Sequence, residues 1–220
     1  MQRRFTGTAA VVLLGLFVFF GAIATRAASP ADYVVSSELS AVTFTVYKWT
    51  VLKEEGRFKD VSGRVHYDPA RPQDASVSIT INTASLDTNN AGRDSVLRSD
   101  DFFDVARFPT MRFVSRRVQP RPDKTLAIAG DLTIHGITKP IDVIAAVNGV
   151  NTVEHVGRMA GFETTFHVDR TTYGVNGTKW SGGRLLISHD VEIHVALAAT
   201  DHPLYTGTTV APPVKPGVTR

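Results

Sequence analysis

Along most of the chain, apolar and polar residues alternate with a period of two, the pattern of half-buried strands. Val42, Phe44 and Val46 alternate with Thr43, Thr45 and Tyr47. Gly56–Tyr67 predicts a second strand, closed by Asp68-Pro69. In a third, Val77, Ile79 and Ile81 stand between Ser76, Ser78 and Thr80; a fourth is Met111–Val118, containing Phe113 and Val114. Leu126, Ile128, Leu132 and Ile134 share one parity of a fifth, with Gly130 between them. His135-Gly136 then turns the chain into a sixth, Ile141–Val150. Gly157–Val168 places Phe162, Phe166 and Val168 on one face. The last strand sets Leu185, Ile187, Val191, Ile193, Val195 and Leu197 against Ser188, Asp190, Glu192 and His194. Eight strands with short connections predict an all-β antiparallel meander. Eight strands also close a barrel wide enough for one small ligand, and closure removes aggregation-prone edges. A two-sheet sandwich fits the same periodicity.

Two stretches break the alternation. Between Asn89 and Val105, Asn89 or Asn90 can cap a helix, with Val96 and Leu97 as its apolar face. Ser99 reads as a second cap ahead of Phe102 and Phe103. One or two short helices over one barrel end are expected here. From Arg170 to Arg184, Gly174, Gly177, Gly182 and Gly183 surround Tyr173 and Trp180. Such a loop is either a lid over a cavity or a plug sealing it.

The ends read differently. Arg3 and Arg4 precede an uncharged apolar run from Ala9 to Ile23. That run is short for a bilayer span, which needs about 20 residues. With Thr25-Arg26-Ala27 after it, it predicts a secretory leader over 1–27, cut before Ala28. An uncleaved anchor is the alternative. The mature chain is then periplasmic or secreted, with a barrel domain over 28–200. Residues 201–220, with Pro203, Pro212, Pro213 and Pro216, predict a mobile tail.

Charge and chemistry narrow the function. Lys and Arg number 24 against 21 acids, but Arg3, Arg4 and Arg26 fall in the leader; without them the balance is 21 to 21. A nucleic-acid partner therefore loses its electrostatic support. The chain has no cysteine, which removes disulfides, cysteine zinc sites and thiol nucleophiles. The seven histidines form no H-E-x-x-H or H-x-H spacing, and no G-x-S-x-G or G-x-G-x-x-G element occurs. No catalytic residue, metal or cofactor is therefore assigned. His189 shares the apolar parity of the last strand, as a core residue or as a group facing a ligand.

Four motifs carry a resemblance. They are Ser85-Leu86-Asp87-Thr88 running through Arg93-Asp94 to Leu97-Arg98-Ser99-Asp100-Asp101-Phe102-Phe103-Asp104; Phe108-Pro109-Thr110-Met111-Arg112-Phe113; Gly130-Asp131-Leu132-Thr133-Ile134-His135-Gly136-Ile137-Thr138-Lys139-Pro140; and Phe166-His167-Val168-Asp169-Arg170 with Tyr173-Gly174. In order and spacing these resemble the YceI-like family over about Tyr33 to Ala199. One departure is Val96, where the family often has histidine. The resemblance implies an eight-stranded antiparallel lipocalin-like β-barrel. It also implies a long apolar cavity for a polyisoprenoid chain, such as an isoprenoid quinone or prenyl phosphate, or for another long lipid.

On that reading the inward parity supplies the wall: Phe44, Val46, Val77, Ile79, Ile81, Phe113, Ile128, Leu132, Ile134, Phe162, Phe166, Ile187, Val191 and Ile193, with His189 beside them. The alternative is that these side chains fill an ordinary core. Arg93, Arg98 and Arg170 are candidates to hold a head group by charge-assisted hydrogen bonds, or else they pair with nearby aspartates. Tyr173 and Trp180 would pack on the first isoprene units or seal the end. The expected activity is carriage or storage of an isoprenoid lipid without covalent chemistry, with transient contact with membranes and exposed strand surface compatible with a homodimer. A lipid-modifying enzyme or accessory factor, and a packed structural barrel, are the alternatives.

Overall fold

The computed structural model describes residues 31–154, 156–179 and 187–202. The expected leader, Trp180, Gly182, Gly183, Leu185 and the expected tail beyond His202 lie outside the described residues. The strands are β1 (Ala31–Val35), β2 (Ala41–Lys48), β3 (Leu52–Phe58), β4 (Val61–Tyr67), β5 (Ser76–Asn82), β6 (Leu86–Asp87), β7 (Thr110–Pro120), β8 (Leu126–Ile134), β9 (Ile137–Val153), β10 (Gly157–Asp169) and β11 (Asp190–Thr200). Among the described residues one α-helix, α1, spans Ala91–Arg98, beside three short 3-10 turns.

All described pairings between strands are antiparallel, and they close a ring. The order β1-β4-β5-β7-β8-β9-β10-β11 returns to β1 through Val34–Thr200 and Val35–Ala199. Eight strand positions thus form the barrel, as the sequence predicts, although eleven segments fill them. The first expected strand is preceded by β1, and β2 carries the chain onward along β11. The second expected strand is broken at Lys59-Asp60 into β3 and β4. Each of these two staves bends, so one segment pairs at each end of the barrel. β9 also serves two neighbours: Ile137–Ala145 pairs with β8, and Ala145–Val153 pairs with β10.

β8 shows why the sequence folds this way. Leu126, Ile128, Leu132 and Ile134 are buried while Ala127, Ala129, Asp131 and Thr133 are half-buried. Each such side chain gains roughly 1.5–3 kcal/mol by leaving water. Gly130 keeps the same inward parity, and a Cβ there would come within 2.5 Å of the Phe113 ring. The glycine is what lets Phe113 lie across β8.

The irregular segment between β6 and β7 forms one helix rather than two. The Asn90 side chain caps α1 by accepting from Arg93 N–H at 3.0 Å. Eight residues make a marginal helix in isolation. Tertiary bonds hold this one: buried Asp94 accepts from Thr88 N–H at 2.9 Å and from Thr88 Oγ1 at 2.6 Å. Ser99 ends the helix instead of starting a second, its backbone N–H and hydroxyl both donating to Val96 C=O. Successive turns follow, with Asp104 N–H donating to Ser99 C=O at 2.8 Å.

The barrel has two unlike ends. At one lie the β2–β3 hairpin, α1, the 99–108 turns and the loop after β10. At the other, Tyr67 packs edge-on against Phe162 at 5.6 Å, and Arg158 meets Asp201. Asp201 accepts from Arg158 N–H at 2.9 Å and Nε–H at 3.1 Å, so the ordered barrel extends into the segment expected to be tail.

Candidate functional site

The barrel encloses a chamber of about 600 Å³. That size lies within the usual 300–1,000 Å³ of small-molecule sites. Its far end is buried side chains: Tyr67, Val118, Leu126, Ala145 and Phe162. Its exposed lining residues include Asn90 and Gly92 of the α1 segment and Glu55 of β3, which places the mouth between the β2–β3 hairpin and α1. Beneath the mouth stands an aromatic cluster, with Phe44 at 5.6 Å from Phe58 and Phe58 edge-on to Phe103 at 5.8 Å.

Most of the sequence-predicted wall lines this chamber. Phe44, Val46, Val77, Ile79, Ile81, Phe113, Ile128, Leu132, Ile134, Phe162, Phe166, Ile187, Val191 and Ile193 all do. Phe44, Val46, Val77, Phe113 and Ile193 point inward yet are only half-buried, because open space lies on their inner side. The expectation missed several neighbours of the same parity, including Val42, Phe58, Val143, Val168, Val195 and Leu197. Phe102 and Phe103 came from the irregular segment, where parity gives no signal.

Three candidates lie elsewhere. His189 is exposed and outside the chamber lining. The chain bends at Ser188-His189 before β11 starts, and His189 C=O accepts from Arg170 N–H, so the parity of Val191 does not carry back to it. Arg98 is also outside, its guanidinium donating to Ala84 C=O at 3.0 Å and to Leu86 C=O. Tyr173 is buried away from the lining, with Lys139 Nζ 5.8 Å from its ring centre, and burial raises its phenol pKa. Trp180 falls outside the described residues.

Arg93 and Arg170 do line the chamber, but each guanidinium has protein partners. Arg93 donates to Thr88 Oγ1 at 2.8 Å and Thr88 C=O at 2.8 Å, and pairs with Glu54 at 2.5 Å. It ties α1 to β3 across the mouth. Arg170 is buried and donates to four carbonyls: Val175 at 2.6 Å, Ser188 at 2.9 Å, Asn176 at 3.0 Å and Ile187 at 3.4 Å. These lie on both sides of the glycine-rich loop, so Arg170 pins its two described ends together. Burial lowers the Arg170 pKa from its ordinary value, with Asp169 opposing. The described part of the loop is further held by Asp101, which accepts from Gly177 N–H at 2.8 Å through its carbonyl and from Lys179 N–H at 2.7 Å through its carboxylate.

The polar groups at this mouth are therefore Lys48, the Arg93–Glu54 pair, Glu55, Thr88 and Asn90, while Thr43, Arg112, Glu163 and Thr164 border the chamber from β2, β7 and β10. Lys48 shares the inward parity of Phe44 and Val46, and this could have flagged it. The hairpin beyond Lys48 is unusual. Trp49 and Thr50 both have left-handed backbone, φ 51° and 63°, and Val51 N–H donates to Lys48 C=O at 3.2 Å. Mirror-image turns suit hairpins but favour Asn-Gly. A bulky residue and a β-branched one there cost about 1–3 kcal/mol each.

A closed antiparallel barrel around a mainly apolar chamber defines a lipocalin-like protein. A family model for the YceI-like domain matches residues 33–199, and the chain belongs to that family. It is 38% identical over 152 residues to a UPF0312 protein of Pseudomonas savastanoi, covering 68% of this chain and 79% of that one. A UPF0312 protein of Shewanella baltica is 36% identical over 165 residues, covering 74% and 86%. Among solved structures, Burkholderia cenocepacia BcnA aligns with a TM-score of 0.68 at 26% identity, over 76% of this chain and 99% of that one. A polyisoprenoid binding domain from Saccharophagus degradans aligns at 0.61 over 77% and 98%, but at 16% identity it speaks to the fold alone.

Proposed function

We propose that this protein binds a long isoprenoid lipid in the barrel chamber and carries or stores it outside the cytoplasm. The observation that carries the reading is the chamber itself: about 600 Å³ walled mainly by aliphatic and aromatic side chains, with Lys48, Glu54, Thr88, Asn90 and Arg93 at the mouth between the β2–β3 hairpin and α1. Burying a hydrocarbon chain there is worth roughly 25 cal/mol per Å² of apolar surface removed from water. The chain of the lipid lies along Phe44, Phe113, Ile128 and Ile193. Its head, a quinone or a phosphate, sits at the rim beside Lys48 and the Arg93–Glu54 pair. Membership of the YceI-like family, whose resemblance implies a polyisoprenoid ligand, supports the ligand class. The leader that the sequence predicts over 1–27 supports a periplasmic or secreted location.

The test is native mass spectrometry of the protein purified from its own host, followed by solvent extraction and mass analysis. One isoprenoid per barrel is expected. A protein that arrives without lipid, and takes up neither quinones nor prenyl phosphates when offered them, overturns the reading.

A further inference from the structure

Resting on the carrier reading, we propose that the tip of the β2–β3 hairpin docks the chamber mouth onto a lipid bilayer surface bearing anionic head groups. The tip presents four large apolar side chains to solvent: Tyr47, Trp49, Val51 and Leu52, of which Val51 is 75% exposed. They fall within six residues of chain at the β2–β3 connection, where Trp49 and Thr50 take up left-handed backbone.

Position ties the tip to the chamber. Val46, Lys48 and Glu54 belong to the same hairpin and line the chamber at its mouth. A bilayer that took up the tip would lie against that mouth. A long isoprenoid could then pass between membrane and barrel without exposing its chain to water.

Charge fits the same occupant. The two carboxylates of the hairpin are each held by a cation, Glu54 by Arg93 and Glu55 by Lys53 at 2.5 Å. Among the described residues no carboxylate pairs with Lys48, whose Nζ lies 4.4 Å from the Trp49 ring centre. Tryptophan and tyrosine settle at the head-group level of a membrane, and lysine reaches from there to phosphates. A second protein fits less well. A stable interface takes about 800 Å² from each partner, and a protruding tip of four side chains offers only a fraction of that.

The test uses protein from its own host, floated with vesicles of phosphatidylglycerol and phosphatidylethanolamine. Wild-type protein is expected to float, and acyl chains carrying bromine are expected to quench its tryptophan emission. Trp49→Ser with Val51→Ser should weaken vesicle binding at least tenfold while isoprenoid uptake from detergent solution stays within twofold. A second variant, Trp49→Asn with Thr50→Gly, should raise Tm by relieving the turn and still weaken vesicle binding. Equal flotation of wild type and both variants overturns the proposal. So does a wild-type dimer that the variants dissociate, with no vesicle binding. Tip-dependent flotation by a protein that takes up no isoprenoid upholds the docking and overturns the carrier reading.

Discussion

Phe44 occupies the space that a side chain on Gly56 would need: a Cβ there would lie 2.3 Å from the Phe44 ring and 2.9 Å from Thr88 Cγ2. The two residues are directly paired across β2 and β3. Gly56→Ala forces the ring inward, toward the chamber beneath the mouth. It should cost about 1–3 kcal/mol, the usual scale of overpacking, and reduce uptake of a long lipid. Denaturant unfolding measures the first effect and ligand titration the second. Phe44→Leu in the Gly56→Ala background should restore part of the stability, and additive losses instead would break the link between the two positions.

The chamber can be filled without disturbing the fold. Ile193 is half-buried on the wall, facing open space. Ile193→Trp should leave Tm unchanged or raise it, while lipid uptake falls tenfold or more. Undiminished uptake would mean that the lipid lies elsewhere.

Arg170 carries the loop after β10. Arg170→Ala leaves four buried or half-buried carbonyls without their donor, at an expected cost of about 3 kcal/mol. Lysine recovers little of this, because a point charge cannot replace the planar fork. Limited proteolysis should cut both variants within 174–188 faster than wild type. Equal resistance would show that the other bonds of the loop suffice.

Acid sensitivity has a named source. Lys59, the Asn89 backbone N–H and Arg57 hold the Asp87 carboxyl well below the usual carboxylate range. The folded pKa is depressed relative to the unfolded chain. The stabilisation is therefore complete above about pH 4 and is lost as pH falls through the folded value. Asp87→Asn should lower stability at pH 7 and flatten the decline in stability below pH 4. A pH series of chemical unfolding checks both, and an unchanged acid limb would assign the effect to other carboxylates.

How much the sequence revealed depends on where its periodicity holds. Along β8 the alternation is unbroken, and Leu126, Ile128, Leu132 and Ile134 face inward as the pattern requires. Fourteen wall candidates read from parity line the chamber. His189 fails because parity counting crosses a bend, where the next residue no longer faces the opposite side. Arg98 and Tyr173 sit in irregular backbone, where the partners that engage them are set by tertiary approach and leave no local pattern. Chain bends hid β1 and the division of β3 from β4. A short apolar segment such as Ala31–Val35 declares itself only when a distant strand, here β11, closes over it. The hairpin tip was legible as residues but not as a feature, because left-handed backbone at Trp49-Thr50 contradicts local preference.

The two limits of the described barrel lie together at the closed end. Ala31 pairs with Tyr67, and Asp201 is tied to Arg158, whereas Trp49 stands at the opposite end. The barrel therefore has a built-in polarity. A surface, a resin or a fused domain joined at Ala31 or at Asp201 would hold the molecule by its base and leave the mouth facing outward.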